Sequence, residues 1–211
     1  GGVPDGGGPR VALAPAAHAA ALALLARAGV IDPAATIGLV AAGSWPTKTW
    51  PPAYAAALAR GLMANGHPVL LLAGPGEQHV SETITRLAAG VIVLPPCDVG
   101  TLAAVIASLR AVVGNDSGPR HLAAAFDVPT YAWFGPTHPD TWATPGARHA
   151  WWWTSVPCRG CDRTACPHWN CMPELEPRQA LARVRAHLAN SPARAGRDDG
   201  AAAGLRARAG A

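Results

Sequence analysis

The stretch that decides the fold is VVGNDSGPRHLAAA, residues Val112–Ala125. Its order predicts a buried strand, then a polar turn between glycines, then a helix that opens with Pro119. Proline suits the first turn of a helix because it gives up no hydrogen bond that the helix needs. Asp116 or Ser117 is expected to cap this helix. The segment therefore predicts a strand that runs directly into a capped helix.

The same alternation of strand and helix continues on both sides of this segment. Short apolar runs, each with glycine or proline at its ends, alternate with helical patterns. Strands that are apolar throughout are typical of a parallel sheet with both faces covered by helices. The sequence therefore predicts an α/β fold, a doubly wound, Rossmann-like parallel sheet. The predicted strands are Ile37–Ala41, Val69–Ala73, Val91–Leu94, Ala111–Val113 and Thr130–Phe134. The predicted helices are Pro15–Gly29, Pro52–Asn65, Glu77–Ala89, Thr101–Leu109, Pro119–Phe126 and Pro177–Leu188.

Length and composition favour one domain with a core of its own. Of 211 residues, 50% are hydrophobic and only 14% are charged, which excludes a disordered polyelectrolyte. Residues 11–190 are expected to form the domain, with a cysteine-rich loop at 151–173. Residues 1–10 and 191–211 are expected to be a disordered N-terminus and a disordered tail.

Charge limits the classes of ligand that this protein is expected to bind, and hydropathy limits where in the cell it is expected. The net charge of +4 is too small to favour nucleic acid as a partner, but an anionic small molecule remains open. No apolar run approaches the roughly 20 residues of a membrane span, and the first ten residues lack the layout of a signal peptide. A cytoplasmic protein is therefore expected.

Two loops at the carboxyl ends of predicted strands carry candidate binding residues, because ligands of open parallel sheets bind there. GSWPTKTWP, residues Gly43–Pro51, holds Lys48, the only lysine of the chain. A cation at this place can meet a phosphate, although a lysine in a loop can also be merely solvated. AGPGE, residues Ala73–Glu77, ends on an acid that can accept from ribose hydroxyls or simply favour a helix N-terminus.

The third such loop lies in the fold-deciding segment itself. Backbone N–H groups around Ser117, Gly118 and Arg120 are expected to face outward beside the positive end of the helix, which makes an anion site. His121 can add a hydrogen bond to the same anion, or lie on the surface. Asp116 can serve the ligand or only the cap. The loop matches neither a G-x-G-x-x-G dinucleotide fingerprint nor a Walker loop, so oxidoreductase and phosphate-hydrolysing functions lose their usual support.

Four cysteines cluster within fourteen positions, at Cys158, Cys161, Cys166 and Cys171. Four thiols suit a tetrahedral structural zinc or an iron–sulfur cluster. Reduced structural thiols and disulfides are the alternatives, and the spacing leaves all three open. The fifth cysteine, Cys97, is expected to be a small buried hydrophobe.

Tryptophans crowd the same part of the chain. Trp151, Trp152 and Trp153 are expected in a loop-like region, together with Trp142 and Trp169. They can pack in the core or at an interface, or form an exposed aromatic patch.

Several motifs in this order resemble glycosyltransferase family 9, the lipopolysaccharide heptosyltransferases. The resemblance runs from about Gly38 to Leu188. The segments that carry it are GSWPTKTWP, GPGE, GNDSGPRHLAAA, VPTYAWFGPTHP and the cysteine segment with the MPEL that follows. It implies the C-terminal, donor-binding half of a GT-B fold.

The resemblance also implies the chemistry. Heptose would pass from ADP-heptose to a lipopolysaccharide core acceptor by an inverting displacement, with no metal or cofactor at the active site and with the protein at the inner face of the inner membrane. Lys48, Asp116 and His121 would be catalytic. Lys48 would meet the donor diphosphate or acid groups of the acceptor. The donor-binding residues would be Ser44, Lys48, Glu77, Asp116, Ser117, Gly118 and His121.

One departure from the family concerns its N-terminal domain, which binds the acceptor and supplies the aspartate base. Gly1–Val30 offers no counterpart to it, so either the chain is a fragment or split gene product, or a partner supplies the acceptor half. This chain is then expected to bind donor better than it transfers sugar, and to self-associate through the surface that would face the other half. Two alternatives remain: a non-catalytic module that binds nucleoside diphosphates, and a metal-binding or interaction protein built on the cysteine loop.

Overall fold

The computed structural model describes residues 11–191 as a six-stranded parallel sheet with helices on both faces. Every strand pairs in parallel with its neighbours, in the order β3-β2-β1-β4-β5-β6. This confirms the predicted doubly wound α/β fold. The strands are β1 Ile37–Val40, β2 Val69–Leu71, β3 Ile92–Val93, β4 Ala111–Asn115, β5 Thr130–Phe134 and β6 His149–Trp153.

The helices form two layers around this sheet. The helices are α1 Pro15–Ala28, α2 Pro52–Ala64, α3 Gln78–Leu87, α4 Val99–Ser108, α5 Gly118–Ala125, α6 Pro139–Trp142 and α7 Pro177–Asn190. Helices α2, α3 and α7 cover one face, and α1, α4 and α5 cover the other. Side chains alternate along each strand, so Leu39 faces the first layer whereas Val40 faces the second. Burial on both faces explains why these strands are apolar throughout.

The two central strands approach closely at their carboxyl ends. Gly114 of β4 has φ +140°, and a Cβ there would lie 2.0 Å from the carbonyl oxygen of Val40 in β1. Only glycine fits such an approach. The strand order reverses between β1 and β4, because α2 leaves β1 toward one face and α5 follows β4 on the other. A crevice at this reversal is the usual ligand site of the fold.

The expected loop at Trp151–Trp153 is instead the edge strand β6, which pairs with β5. Trp152 packs against the core, and the guanidinium carbon of Arg183 in α7 lies 4.6 Å from the centre of its ring. The ring centres of Trp153 and His138 are 4.4 Å apart, and Trp151 is 45% exposed. Aromatic residues suit a half-buried pleated strand. The loop interpretation was wrong because residues 149–153 pair with β5, a contact that the run of tryptophans does not report by itself.

Two smaller expectations also differ from the structure. Cys97 is exposed and not buried, because it lies in the connection between β3 and α4. Ser191, placed at the start of the tail, is buried, and its carbonyl accepts from the Arg110 guanidinium. The rest of the predicted tail and the predicted disordered N-terminus lie outside the described residues.

No helix within residues 11–191 combines the length and the apolar character that crossing a bilayer requires.

Candidate functional site

A cavity of about 410 Å³ opens where the strand order reverses. The loops that follow β1 and β2 form one side of it, and the β4–α5 turn forms the other. The structure brings all of the predicted donor-binding residues to its wall: Ser44, Lys48, Glu77, Asp116, Ser117, Gly118 and His121. These side chains come from three separate loops, as expected for the carboxyl edge of a parallel sheet.

Lys48 is held at the centre of this wall. It ends a short 3₁₀ turn, Pro46–Lys48, and its Nζ lies 3.4 Å from Oδ2 of Asp116. Its ammonium also lies 5.1 Å from the centre of the Trp45 ring. A Cβ on Gly43 would be 3.9 Å from the Cβ atoms of both Lys48 and Ser117, so the two loops touch there.

The Asp116 carboxylate is buried among donors. Its Oδ1 accepts from Arg120 Nη2 (2.9 Å) and lies 3.4 Å from His121 Nε2, while Oδ2 accepts from Thr137 Oγ1 (3.1 Å) and from Lys48. Burial raises the pKa of Asp116, but the hydrogen bond with His121 and the charges of Lys48 and Arg120 outweigh it and hold that pKa well below its usual range. The group is therefore a carboxylate at neutral pH.

The N-terminus of α5 differs from the prediction in its cap. Ser117 stands at the cap position, but its side chain makes no capping bond, and Asp116 bonds to cations instead. The Ser117 hydroxyl is buried, with no hydrogen-bond partner among residues 11–191. The N–H of Arg120 donates to the Ser117 carbonyl (3.1 Å), so it does not face a ligand as expected. The backbone N–H groups that remain for the predicted anion site are those of the cap residue Ser117 and the first helical residue Gly118.

The side chain of Arg120 is part of the site, whereas the sequence predicted a role only for the backbone N–H of this residue. Its guanidinium is only 3% exposed and joins Asp116 to the carbonyl of Trp142 (2.6 Å) and to Thr144 Oγ1 (3.3 Å). Burial lowers the pKa of Arg120, and the Asp116 charge opposes that shift. Asp116 and Arg120 stand four positions apart, but Asp116 precedes the helix, so the rule that residues four apart on a helix face each other does not report this pair.

Two further wall residues come from beyond the predicted loops. Thr137, in the FGPT motif, donates to Asp116, and Trp142 of α6 lines the cavity with 48% of its surface exposed. The Trp142 and His121 rings meet edge to face, 6.3 Å apart. Pairing of this kind joins segments that no local pattern connects.

Glu77 closes the turn after β2. It stands at the cap position of α3 but makes no side-chain cap there, and its Oε2 accepts from the Gly74 N–H (2.7 Å) instead. The helix-capping interpretation of this acid is therefore not the whole explanation. Its carboxylate lines the cavity beside the turn.

The four clustered cysteines are not bonded to one another. All carry free thiols: Cys158 and Cys161 are exposed, Cys166 is partly buried and Cys171 is buried. No group of three or more histidine, cysteine or acidic side chains within residues 11–191 is arranged to hold a metal ion. A structural zinc on this loop therefore stays a prediction, without support from this arrangement.

Comparison with known proteins agrees with the fold and the motifs. The model of glycosyltransferase family 9 (heptosyltransferase) matches residues 9–171. The chain is 38% identical over 128 residues to lipopolysaccharide heptosyltransferase 1 of Pseudomonas aeruginosa, which covers 59% of this chain and 36% of that protein. It is 30% identical over 155 residues to lipooligosaccharide heptosyltransferase 2 of Campylobacter jejuni, covering 68% of this chain and 48% of that protein.

A solved structure shows the same architecture. The E. coli ADP-heptose lipopolysaccharide heptosyltransferase II superposes with a TM-score of 0.69 at 22% identity, over 88% of this chain and 55% of that one. The chain thus spans about half, or less, of the length of the curated relatives that it matches. The family model covers well over half of the chain, and the residues that it matches include all of those that line the cavity. This chain belongs to glycosyltransferase family 9.

Proposed function

We propose that this chain is the donor-binding half of a GT-B heptosyltransferase that moves heptose from ADP-heptose to a lipopolysaccharide core acceptor. One observation carries the proposal. All of the predicted donor-binding residues line a single cavity, in which the Lys48 ammonium lies 3.4 Å from the Asp116 carboxylate, two positions before α5 begins. Curated relatives named as heptosyltransferases support the choice of sugar, and the E. coli relative named for ADP-heptose supports the choice of donor.

The proposed placement of the donor follows from the charges on the wall. The diphosphate lies between Lys48 and the N-terminus of α5, where an ammonium and the positive end of a helix both favour an anion. The unpartnered hydroxyl of Ser117 donates to a phosphate oxygen there. The ribose hydroxyls donate to Glu77, and the sugar lies toward Asp116 and His121.

The proposed reaction is a direct displacement. The acceptor hydroxyl oxygen forms a bond to the anomeric carbon while the bond from that carbon to the diphosphate oxygen breaks, and ADP leaves. Negative charge grows on the diphosphate as it departs, so Lys48 and the α5 N–H groups stabilise the transition state more than the ground state. These groups supply that stabilisation without a bound metal ion.

The remaining roles divide between this chain and another half. Asp116 stays ionised and orients Lys48 and His121, the residues that we assign to catalysis together with it. We assign the base that takes the acceptor proton to the acceptor half that the family resemblance implies. The 211 residues by themselves therefore bind the donor and transfer sugar slowly, if at all.

Isothermal titration with ADP tests the binding step. Lys48→Met is expected to raise the Kd for ADP about tenfold or more, because a charge-assisted hydrogen bond contributes about 1.5–3 kcal/mol. The Kd for adenosine, which carries no phosphate, should stay unchanged. Arg178→Met, on the exposed face of α7, is the matched control. A Lys48→Met chain that binds ADP as tightly as the wild type would refute the proposal.

The transfer step needs a separate assay. ADP release from ADP-heptose is measured with a lipopolysaccharide core acceptor and the 211-residue chain alone. Rates near those of ordinary enzymes, about 1 s⁻¹ or more, would contradict the assignment of the base to another half.

A further inference from the structure

The cysteine-rich segment directly contacts the turn that carries Lys48. Thr47 is 3% exposed, and its Oγ1 donates to the carbonyl of Arg163 (2.6 Å). Its own carbonyl accepts from the indole Nε1 of Trp169 (3.3 Å). The hydroxyl and the carbonyl of Thr47, the residue next to Lys48, therefore both bond to residues more than a hundred positions further along the chain.

The cysteine-rich segment that bonds to Thr47 is itself anchored to the domain. The Trp169 ring packs against the core layer beneath α2 and α7, and its backbone N–H donates to Cys166 Sγ (3.3 Å). Trp169 has φ +32°, which a bulky side chain adopts only where its surroundings enforce it. Further along, the Leu175 carbonyl accepts from the buried indole of Trp50 (2.9 Å). The contact to Thr47 thus comes from a fixed segment and not from a loose loop.

Lys48 needs such support because its own turn is short. The 3₁₀ turn holds itself with two backbone bonds, from Lys48 N to Trp45 O (3.0 Å) and from Thr49 N to Pro46 O (3.2 Å). A lysine on a loose turn loses backbone conformational entropy when its ammonium binds an anion, so it binds the anion more weakly. Holding the backbone of the adjacent residue removes part of that disorder before the ligand arrives.

We infer that Trp169 is a positioning residue for Lys48, and that it acts through the carbonyl of Thr47. The inference rests on the proposed function, in which Lys48 binds the donor diphosphate. It gives the cysteine-rich segment a part in donor binding that does not depend on whether its thiols hold a metal. The hydroxyl bond from Thr47 to Arg163 serves the same purpose from the other side of the turn.

A double-mutant cycle read by titration with ADP tests this. Trp169→Phe keeps an aromatic ring but removes the indole N–H, and it is expected to raise the Kd for ADP about fivefold, the value of one hydrogen bond. The Kd for adenosine should not change. In a Lys48→Met background the same substitution should have no further effect, because the group that it positions is gone. Trp151→Phe, on the exposed edge strand, is the matched control and should bind as the wild type.

A second pair of variants, at Thr47, tests the same inference in case Trp169→Phe does not fold. Thr47→Val removes the hydroxyl and should weaken ADP binding, whereas Thr47→Ser keeps it and should restore the wild-type Kd. An unchanged Kd in Trp169→Phe, or an equal loss with and without Lys48, would overturn the inference. If Lys48→Met itself leaves ADP binding intact, the proposed function fails instead, so the two failures are distinct.

Discussion

The Nζ atom of Lys48 lies 3.4 Å from Oδ2 of Asp116, although 68 positions separate the two residues. They meet because β1 and β4 are neighbours, and each residue follows the carboxyl end of its strand. The helices after these strands depart to opposite faces of the sheet, so the two loops part above the sheet and leave a cavity between them. A cation and an ionised acid thus line the same cavity as the N-terminus of α5.

Removing the charge of Asp116 should lower the free energy of unfolding, and removing the charge of Arg120 as well should restore part of the loss. Asp116→Asn leaves the buried Arg120 guanidinium without its closest counter-charge, and the free energy of unfolding should fall by about 3 kcal/mol. The Asp116→Asn/Arg120→Met double variant should lose less than Asp116→Asn alone, because no unpaired charge stays buried. Urea denaturation at pH 7 measures both. Strictly additive losses would mean that the two groups do not act as a pair.

Filling the space beside Gly118 should block the ligand without harming the fold. A Cβ at Gly118 would meet nothing within 4 Å, and the residue lines the cavity. Gly118→Val should therefore raise the Kd for ADP at least about tenfold while the free energy of unfolding changes by less than about 1 kcal/mol. Ala186→Val, exposed on α7 outside the cavity wall, is the control. Normal ADP binding by Gly118→Val would show that the diphosphate lies elsewhere.

The close approach of the central strands should make Gly114 irreplaceable. Gly114→Ala places a Cβ 2.0 Å from the Val40 carbonyl oxygen at φ +140°, and the free energy of unfolding should fall by at least about 3 kcal/mol. Gly38→Ala is the matched variant on β1. Its Cβ meets the flexible end of Leu109 at 2.8 Å, so that side chain can shift and the loss should be nearer about 1 kcal/mol. Similar losses for the two variants, by thermal or urea unfolding, would contradict the backbone clash.

Two half-buried histidines should make the fold weaker in mild acid. Burial lowers the pKa of His149 and of His187, and the nearby Arg148 guanidinium adds to the shift in both. As pH falls below about 6.5, the ordinary histidine pKa, the unfolded chain takes up protons before the folded chain does. The stabilisation is therefore complete above that pH and is lost as pH falls toward the lowered values.

The measurement is the free energy of unfolding between pH 7 and pH 5. It should decrease with falling pH in the wild type, and the decrease should be smaller in the His149→Asn/His187→Gln double variant. The double variant should also be less stable at pH 7, because His187 contacts the Arg148 carbonyl (3.1 Å) and His149 contacts Thr130 Oγ1 (3.1 Å). An identical pH slope in both chains would exclude these two histidines as its source.

Most of the sheet could be predicted because a buried parallel strand leaves a local mark. Four of the strands are apolar runs with glycine or proline near their ends: β1, β2, β4 and β5. The predicted bounds of each agree with the observed bounds within two residues. β6 was missed because Trp151–Trp153 lies at the edge, where one face is partly open and the pairing partner is β5, some twenty residues earlier. Neither fact leaves a pattern in the three residues themselves.

The site divides in the same way. Lys48, Glu77 and the DSG turn stand at the ends of predicted strands, so strand–loop–helix order was enough to nominate them. The Arg120 side chain bonds to Asp116, which precedes the helix, so helical spacing did not nominate it. The contacts of Thr137 and Trp142 with the cavity depend on how the chain returns after β5, and no local pattern reports that return.

Residue order alone determined the elements and the chemical groups at their ends, because hydrophobic burial, helix termini and turn geometry act over a few neighbouring positions. Only the folded chain decided which of those ends line one cavity, and that the cysteine-rich segment holds Thr47 beside Lys48. Hydrogen bonds that join Thr47 to Arg163 and Trp169 span 116 and 122 positions. Such contacts exist only once the packing of the helical layers on the sheet has brought distant segments together.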